Sequence, residues 1–373
     1  YQGQVATFRG TVPLGVEVAG LPPARGFVDE EVFRQWRRVG MPPSGIADDA
    51  TFLRRVTVDI ASRLPTVSEV EDLVRAAAAQ DGAAGGGGDA GVVLTPARVA
   101  ARDGVIERLL ASSEYADTFA NKWAALLRNK RTDARHARGT YGFHAWIRES
   151  LLRNKPYDAW VREILTASGD MAENPPVTWY RQGRSTQQQL EDISQLFLGQ
   201  RLQCAQCHHH PYEKWSQGDY WSFGAFFSQV SYRPGGQPGE EAVVARRTIP
   251  QATNKKTGAP VRPAGLGDAI DGLTADDDAR FLLADWMTRP ENPFFARALV
   301  NRYWKHFFGR GLVDPEDDMR VTNPASNPEL LDSLAQDFID SGYDLKHLVR
   351  TITRSTTYQL SALPNDWNGN DKQ

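Results

Sequence analysis

Apolar residues return every three or four positions over most of this 373-residue chain, which is the spacing of amphipathic helices. Asp, Ser, Thr or Pro stands near the start of many of these segments, as is typical of helix N-termini. The predicted helices cover residues 29–38, 48–63, 68–79, 96–111, 114–128, 141–153, 157–167, 275–288, 293–308, 328–341 and 345–356. Pro and Gly interrupt residues 231–267, where Ala242–Ile249 is the best strand candidate. The pattern predicts a mostly α, multi-helix, two-lobed protein with a small irregular or β excursion near residues 231–267.

Shifts in composition divide the chain into predicted domains. These are an extended N-terminal arm (1–26), a helical domain (27–230), a Pro/Gly-rich excursion (231–267), a C-terminal helical domain (268–361) and a tail (362–373). Within the first helical domain, residues 81–91 contain four consecutive glycines and are predicted to be a flexible linker.

The chain contains only two cysteines, and they stand in the pentapeptide Cys-Ala-Gln-Cys-His at residues 204–208. Cys-x-x-Cys-His is the attachment signature of a c-type haem, in which both thiols form thioethers and the histidine ligates iron. Apolar residues upstream continue a helical period after a cap at Ser185, so we expect the motif at the end of a helix that Pro211 stops. There Cys204, Cys207 and His208 would share one face.

Three other interpretations of the cysteine pair remain open. A zinc or other metal ion could be bound by Cys204, Cys207, His208 and His210, although structural zinc usually takes its second ligand pair from a distant segment. A thioredoxin-like redox pair is expected to open a helix after a strand, whereas here a helix comes first. The third interpretation is a local disulfide, or two unmodified thiols with no cofactor.

If haem is bound, the sixth iron ligand decides its chemistry, because a thioether raises the potential and a second imidazole lowers it. The candidate sixth ligands are Met319, Met171 and His210, each of which has ordinary packing as its alternative role. Aromatic residues are frequent between positions 215 and 227, where they supply either flat apolar surface for a macrocycle or an ordinary core.

Composition narrows the class of protein. With 41% hydrophobic and 24% charged residues the chain is an ordinary globular protein. A net charge of -3 gives no basic field, so we expect no nucleic-acid partner. No apolar stretch reaches about 18 residues, so we expect no transmembrane span. The residues after Tyr1 lack the features of a signal peptide, and we expect an export signal or lipid anchor to lie outside residues 1–373.

Several segments of the chain resemble planctomycete-type cytochrome-like surface proteins, which carry two linked domains of unknown function. The segments that carry the resemblance are residues 52–59 (FLRRVTVD) with 63–66 (RLPT), 109–115 (LLASSEY) leading to Trp123, 197–211 around the Cys-x-x-Cys-His-x-His sequence with Trp215, Asp219 and Tyr220, 292–315 (NPFFARALVNRYWKHFFGRGLVDP) and 327–331 (NPELL). The resemblance implies an exported protein of the periplasm or cell surface. His210 matches the second histidine of the family segment, whereas His209 stands where the family often has Asp or Asn.

These observations favour an exported, c-type-cytochrome-like protein that transfers electrons or serves as an accessory subunit of a larger redox assembly. Its expected partners are other extracytoplasmic redox proteins or a membrane-bound complex. No Gly-x-Ser-x-Gly or His-Glu-x-x-His sequence is present, so we do not expect an enzyme on its own. The alternative is a structural or scaffolding subunit of an extracytoplasmic complex, with a disulfide or metal at the cysteine pair.

Overall fold

The computed structural model describes residues 8, 10, 12–78, 92–238, 240–270 and 272–369. Most of them lie in helices, so the predicted mostly α fold is confirmed. The α-helices are α1 (Phe27–Val39), α2 (Asp49–Ala61), α3 (Val67–Ala78), α4 (Pro96–Ala111), α5 (Ser113–Leu126), α6 (Ala137–Leu152), α7 (Tyr157–Leu165), α8 (Thr186–Leu198), α9 (Gln217–Gly224), α10 (Ala279–Thr288), α11 (Phe295–Phe308), α12 (Pro328–Asp340) and α13 (Leu345–Arg354). The predicted linker at 81–91 and parts of the predicted arm and tail lie outside the described residues.

Side-chain caps stand at the predicted starts of α2 and α8, whereas α6 and α10 begin four residues from their predicted starts. The Asp48 carboxylate accepts a hydrogen bond from the backbone N–H of Thr51 at 2.8 Å and so begins α2. At α8, Ser185 and Gln188 form a reciprocal capping box. Helix α9 was not predicted, although Ser216 opens it with a similar box, because its apolar residues do not keep to one face.

The predicted excursion contains most of the strands, which confirms its β character. The strands are β1 (Gly169–Asp170), β2 (Val230–Pro234), β3 (Glu241–Ala245), β4 (Ala252–Thr253), β5 (Pro260–Val261), β6 (Ala264–Gly265) and β7 (Asp268–Ala269). One antiparallel sheet has the order β1-β3-β2, with Tyr232 opposite Val243. The other two pairs are the short ribbons β4-β5 and β6-β7.

The described residues form two compact units whose segments alternate along the chain. Of the described residues, the first unit contains those within 119–299 and 313–324, and the second contains those within 8–118, 300–312 and 325–369. Each domain predicted from composition is one continuous range, whereas each compact unit joins several separate ranges. The predicted domain boundaries therefore stay a prediction. Within the part of the chain that the structure describes, no helix combines the length and apolar character needed to cross a membrane.

In the first unit, aromatic side chains join α5, α6 and α7. The Trp123 ring meets the Trp160 ring edge to face with centroids 4.8 Å apart, and Trp160 stacks on Trp146 at 5.9 Å. Tyr157 continues the cluster by stacking on Phe295 at 5.0 Å. This packing supports the helices that precede the Cys-x-x-Cys-His segment.

In the second unit, one buried carboxylate joins the start of α1 to a segment more than three hundred residues away. Asp29 is fully buried. One of its oxygens accepts hydrogen bonds from the backbone N–H groups of Arg25 and Thr356 at 2.8 and 2.9 Å. The other accepts from the backbone N–H and the hydroxyl of Thr357 at 2.8 and 2.7 Å. The negative charge also lies in the first turn of the helix, where the dipole favours it.

We expect Asp29→Asn to lower the free energy of unfolding by about 3 kcal/mol. Each carboxylate oxygen serves two donors, so an amide nitrogen in either place leaves a buried N–H group without an acceptor. Urea unfolding followed by circular dichroism measures the change. Glu30→Gln removes the same charge from the exposed neighbouring residue and should cost no more than about 0.5 kcal/mol. Equal losses in the two variants would refute this role of Asp29.

Candidate functional site

The Cys-x-x-Cys-His segment does not lie at the end of helix α8, so that prediction was wrong. Helix α8 ends at Leu198, because Gly199 adopts the left-handed conformation (φ 64°) and its N–H bonds back to the Ser194 carbonyl. The chain then forms a separate 3₁₀ turn over Gln203–Gln206. Pro211 therefore does not stop the helix, which has already ended.

Both thiols are accessible on this short turn. Cys204 and Cys207 are unpaired and exposed. Residues three apart on a 3₁₀ turn lie one above the other, so the two cysteines share one side of it. Between them Ala205 is fully buried and anchors the turn through an N–H bond to the Leu202 carbonyl at 2.8 Å. The expected common face of Cys204, Cys207 and His208 thus applies on this turn to the two cysteines alone, since His208 is four residues after Cys204.

The His208 ring is exposed, and one hydrogen bond fixes the role of its nitrogens. Its Nδ1 lies 2.7 Å from the backbone carbonyl oxygen of His209. A carbonyl oxygen only accepts, so Nδ1 carries the hydrogen and donates it. In the neutral ring this leaves the Nε2 lone pair available. A histidine that donates from Nδ1 to a backbone carbonyl is a common arrangement of metal ligands.

The His210 ring has the opposite arrangement. Its Nδ1 accepts a hydrogen bond from the backbone N–H of Tyr212 at 3.2 Å, so the neutral ring carries its hydrogen on Nε2. Burial lowers the pKa of His210, and the nearby charge of Arg320 adds to this effect, although Glu213 acts against it. In this arrangement the ring presents a donor rather than a free lone pair, so it does not match the ligand role considered for it.

Met319 packs directly against the residues that lead into the motif. A Cβ atom at Gly199 would stand 2.8 Å from both Cγ and Sδ of Met319. The Met319 backbone N–H donates to the Gly199 carbonyl at 2.8 Å, and its carbonyl accepts from the Gln200 amide at 3.2 Å. Met171 is instead buried in the core next to strand β1, which pairs with β3. Of the two methionine candidates, Met319 is the one that contacts the approach to the motif.

Polar side chains that the sequence analysis did not single out fix this arrangement. The Gln200 side chain accepts a hydrogen bond from the Trp215 indole at 3.1 Å. The Asp317 carboxylate accepts from both Gln195 and Arg201. Burial acts to raise the pKa of Asp317, but these hydrogen bonds outweigh it and hold the pKa below its usual range. Glu213, nearly fully buried, accepts from the backbone N–H of Val321. Nothing local in the sequence marks these partners. Except for Gln200 and Trp215, the paired residues are more than one hundred positions apart in the chain.

The aromatic residues that follow the motif belong to the core. Those that are buried are Trp215, Tyr220, Trp221, Phe223, Phe226 and Phe227. The Tyr220 hydroxyl donates to Glu191 at 2.7 Å, and burial together with that carboxylate raises the pKa of Tyr220. Of the two roles considered for these rings, the ordinary core is the one observed. Among the described residues, no group of three or more His, Cys, Asp or Glu side chains is arranged to hold a metal ion.

Two family models match the chain, and together they cover most of it. Residues 27–232, more than half of the chain, match the family described as "PSCyt2: Protein of unknown function (DUF1549)". Residues 279–373 match "PSD1: Protein of unknown function (DUF1553)". The two matches confirm the predicted pair of linked domains of unknown function. No curated protein and no solved structure matches the chain.

We expect Gly199→Ala to destabilise the first unit by about 3 kcal/mol, the sum of left-handed strain and overpacking against Met319. Gly258→Ala is the matched control, since Gly258 has a similar φ of 71° with no neighbouring atom within 4 Å of the added carbon. This variant should lose only about 1 kcal/mol of stability, because it adds left-handed strain without a steric contact. Thermal unfolding measures both variants. Adding Met319→Ala to Gly199→Ala should recover part of the loss, and equal losses for the two glycine variants would rule out the contact.

Proposed function

The chain belongs to the DUF1549 family of proteins of unknown function, and we propose that it transfers electrons through one c-type haem held by Cys204, Cys207 and His208. We further propose that it works outside the cytoplasm, at the periplasm or cell surface. There its partners would be other redox proteins or a membrane-bound complex.

The accessibility of the two thiols carries this proposal. Both are exposed and unpaired on one side of a single turn, so a planar group can be attached from outside without opening the core. The buried Ala205 and Leu202 hold the turn in place from behind. The thiolate is the reactive form of cysteine, and its formation needs access to solvent. The site therefore fits covalent attachment at the surface.

The hydrogen bond of His208 supports its role as the iron ligand. The bond from Nδ1 to the His209 carbonyl orients the ring and leaves Nε2 with a free lone pair. When bound, a c-type haem supplies a one-electron couple at its iron. The residues of this chain would attach it through the two sulfurs, orient the His208 ring and leave the group accessible to a partner, because the nearby aromatic rings are already used in the core.

Met319 is the candidate sixth ligand that the contacts favour. It is held at Gly199 through its backbone and side chain, five residues before Cys204. A thioether in that position would raise the potential relative to a second imidazole. His210 is less suited, since its Nδ1 lone pair already accepts a backbone hydrogen bond. Met171 is fully committed to core packing.

The second candidate function is a scaffolding subunit whose cysteines form a disulfide. The position of both thiols on the same side of one turn also favours this alternative. The two functions differ in the mass and colour of the purified protein.

The test is to export the chain in a bacterial host that has a c-type cytochrome maturation system. We expect a Soret band, a sharp α-band on reduction, and an intact mass that exceeds the polypeptide by one haem after denaturation. Cys204→Ser with Cys207→Ser should remove the covalent haem. His208→Asn should change the visible spectrum, whereas His209→Asn alters an exposed neighbour outside the signature and should not.

A colourless protein would overturn the proposal if a known c-type cytochrome matures in the same cells. A mass lower than the reduced polypeptide by two hydrogens would establish the disulfide alternative. Folding of each variant is checked by far-ultraviolet circular dichroism, so that loss of haem is not confused with loss of structure.

A further inference from the structure

The second unit contains a cavity that the proposed haem site does not use. Its volume is about 610 Å³, within the usual range for small-molecule sites, roughly 300–1,000 Å³. Its walls come from the arm before α1, from α1 itself, from the end of α11 and the loop after it, and from the start of α12. All of these segments belong to one compact unit.

Aromatic side chains form much of the wall. The rings of Trp304 and Phe308 stack with centroids 4.1 Å apart and planes inclined by 21°. Trp36 lines the cavity from α1, and Trp367 contributes from the C-terminal segment with 52% of its surface exposed. Flat apolar faces of this kind pack well against another ring. The wall therefore favours a ligand that contains a ring system.

The charged side chains that line the cavity are of one sign. They are Arg38 and Arg310, and the described lining residues include no Asp or Glu. Arg38 lies in the last turn of α1 and is exposed, so its guanidinium is reached from solvent. Within the described chain its guanidinium has no hydrogen-bond or ion-pair partner, nor do the side chains of Gln35 and Ser326, which line the same cavity. A guanidinium matches the two oxygens of a carboxylate.

From these contacts we propose that the cavity binds a ring-containing organic carboxylate. Its ring packs against the aromatic wall, and its carboxylate pairs with Arg38, with Gln35 and Ser326 as further polar contacts. A cationic ligand would meet two arginines and no negative side chain among the described lining residues. An inorganic anion would leave the aromatic surface unused. This ligand class accounts for both the aromatic wall and the unpartnered arginine.

The experiment titrates the full chain with 2-naphthoate by isothermal calorimetry, in parallel with the neutral analogue 2-naphthalenemethanol. We expect 2-naphthoate to bind about tenfold more tightly, because only the carboxylate gains the charge-assisted bond to Arg38. Arg38→Gln should remove the difference between the two probes. Arg37→Gln is the matched control, since both arginines are exposed in the last turn of α1 but Arg37 does not line the cavity. It should preserve the difference.

Two further measurements locate the site and test the ring. Ser326→Phe places a ring in the cavity and should abolish binding of both probes while circular dichroism shows a folded protein. Decanoate, an aliphatic carboxylate, should bind more weakly than 2-naphthoate. Equal affinity of 2-naphthoate and its neutral analogue, equal effects of Arg37→Gln and Arg38→Gln, unchanged binding by Ser326→Phe, or tighter binding of decanoate would each overturn the proposal.

Discussion

The close approach of Met319 to Gly199 is the constraint on which the candidate haem site depends. Helix α8 must end at Leu198 for the chain to turn and expose Cys204 and Cys207. Glycine is needed at position 199 for two reasons. The backbone there is left-handed, and Met319 fills the space that a Cβ atom would occupy. The backbone bond from Met319 to the Gly199 carbonyl then fixes the later segment against the earlier one.

Sequence patterns predicted the beginning of α8 better than its end. Ser185 and Gln188 signal the start locally, because a capping box involves only neighbours. At the other end, Leu202 continues the apolar spacing, and this spacing predicts a helix that extends to the motif. Gly199 was the available signal for an earlier stop. The contact that requires glycine at the end of α8 comes from Met319, more than a hundred residues later in the chain. Hydrophobic periodicity cannot predict such a contact.

The two histidines show a second limit of sequence reasoning. Residues 208 and 210 have the same side chain and stand two positions apart, so both were candidate ligands. Their hydrogen bonds differ: Nδ1 of His208 faces a carbonyl oxygen, whereas Nδ1 of His210 faces a backbone N–H group. That difference selects opposite tautomers. The three residues of the haem signature could be named from the sequence, but the choice between the histidines needed the local backbone.

Each compact unit is built from both family segments. The second unit packs α1 against α12 and α4 against α13, so residues from the DUF1549 segment and from the DUF1553 segment share one core. The buried Asp29 makes this dependence specific, since three of its four donors belong to Thr356 and Thr357 of the DUF1553 segment. In the first unit, α7 packs on α10, and Gly199 meets Met319 in the same way. Either segment alone would expose apolar surface and leave buried polar groups unpaired, which is a physical reason for the two to occur in one chain.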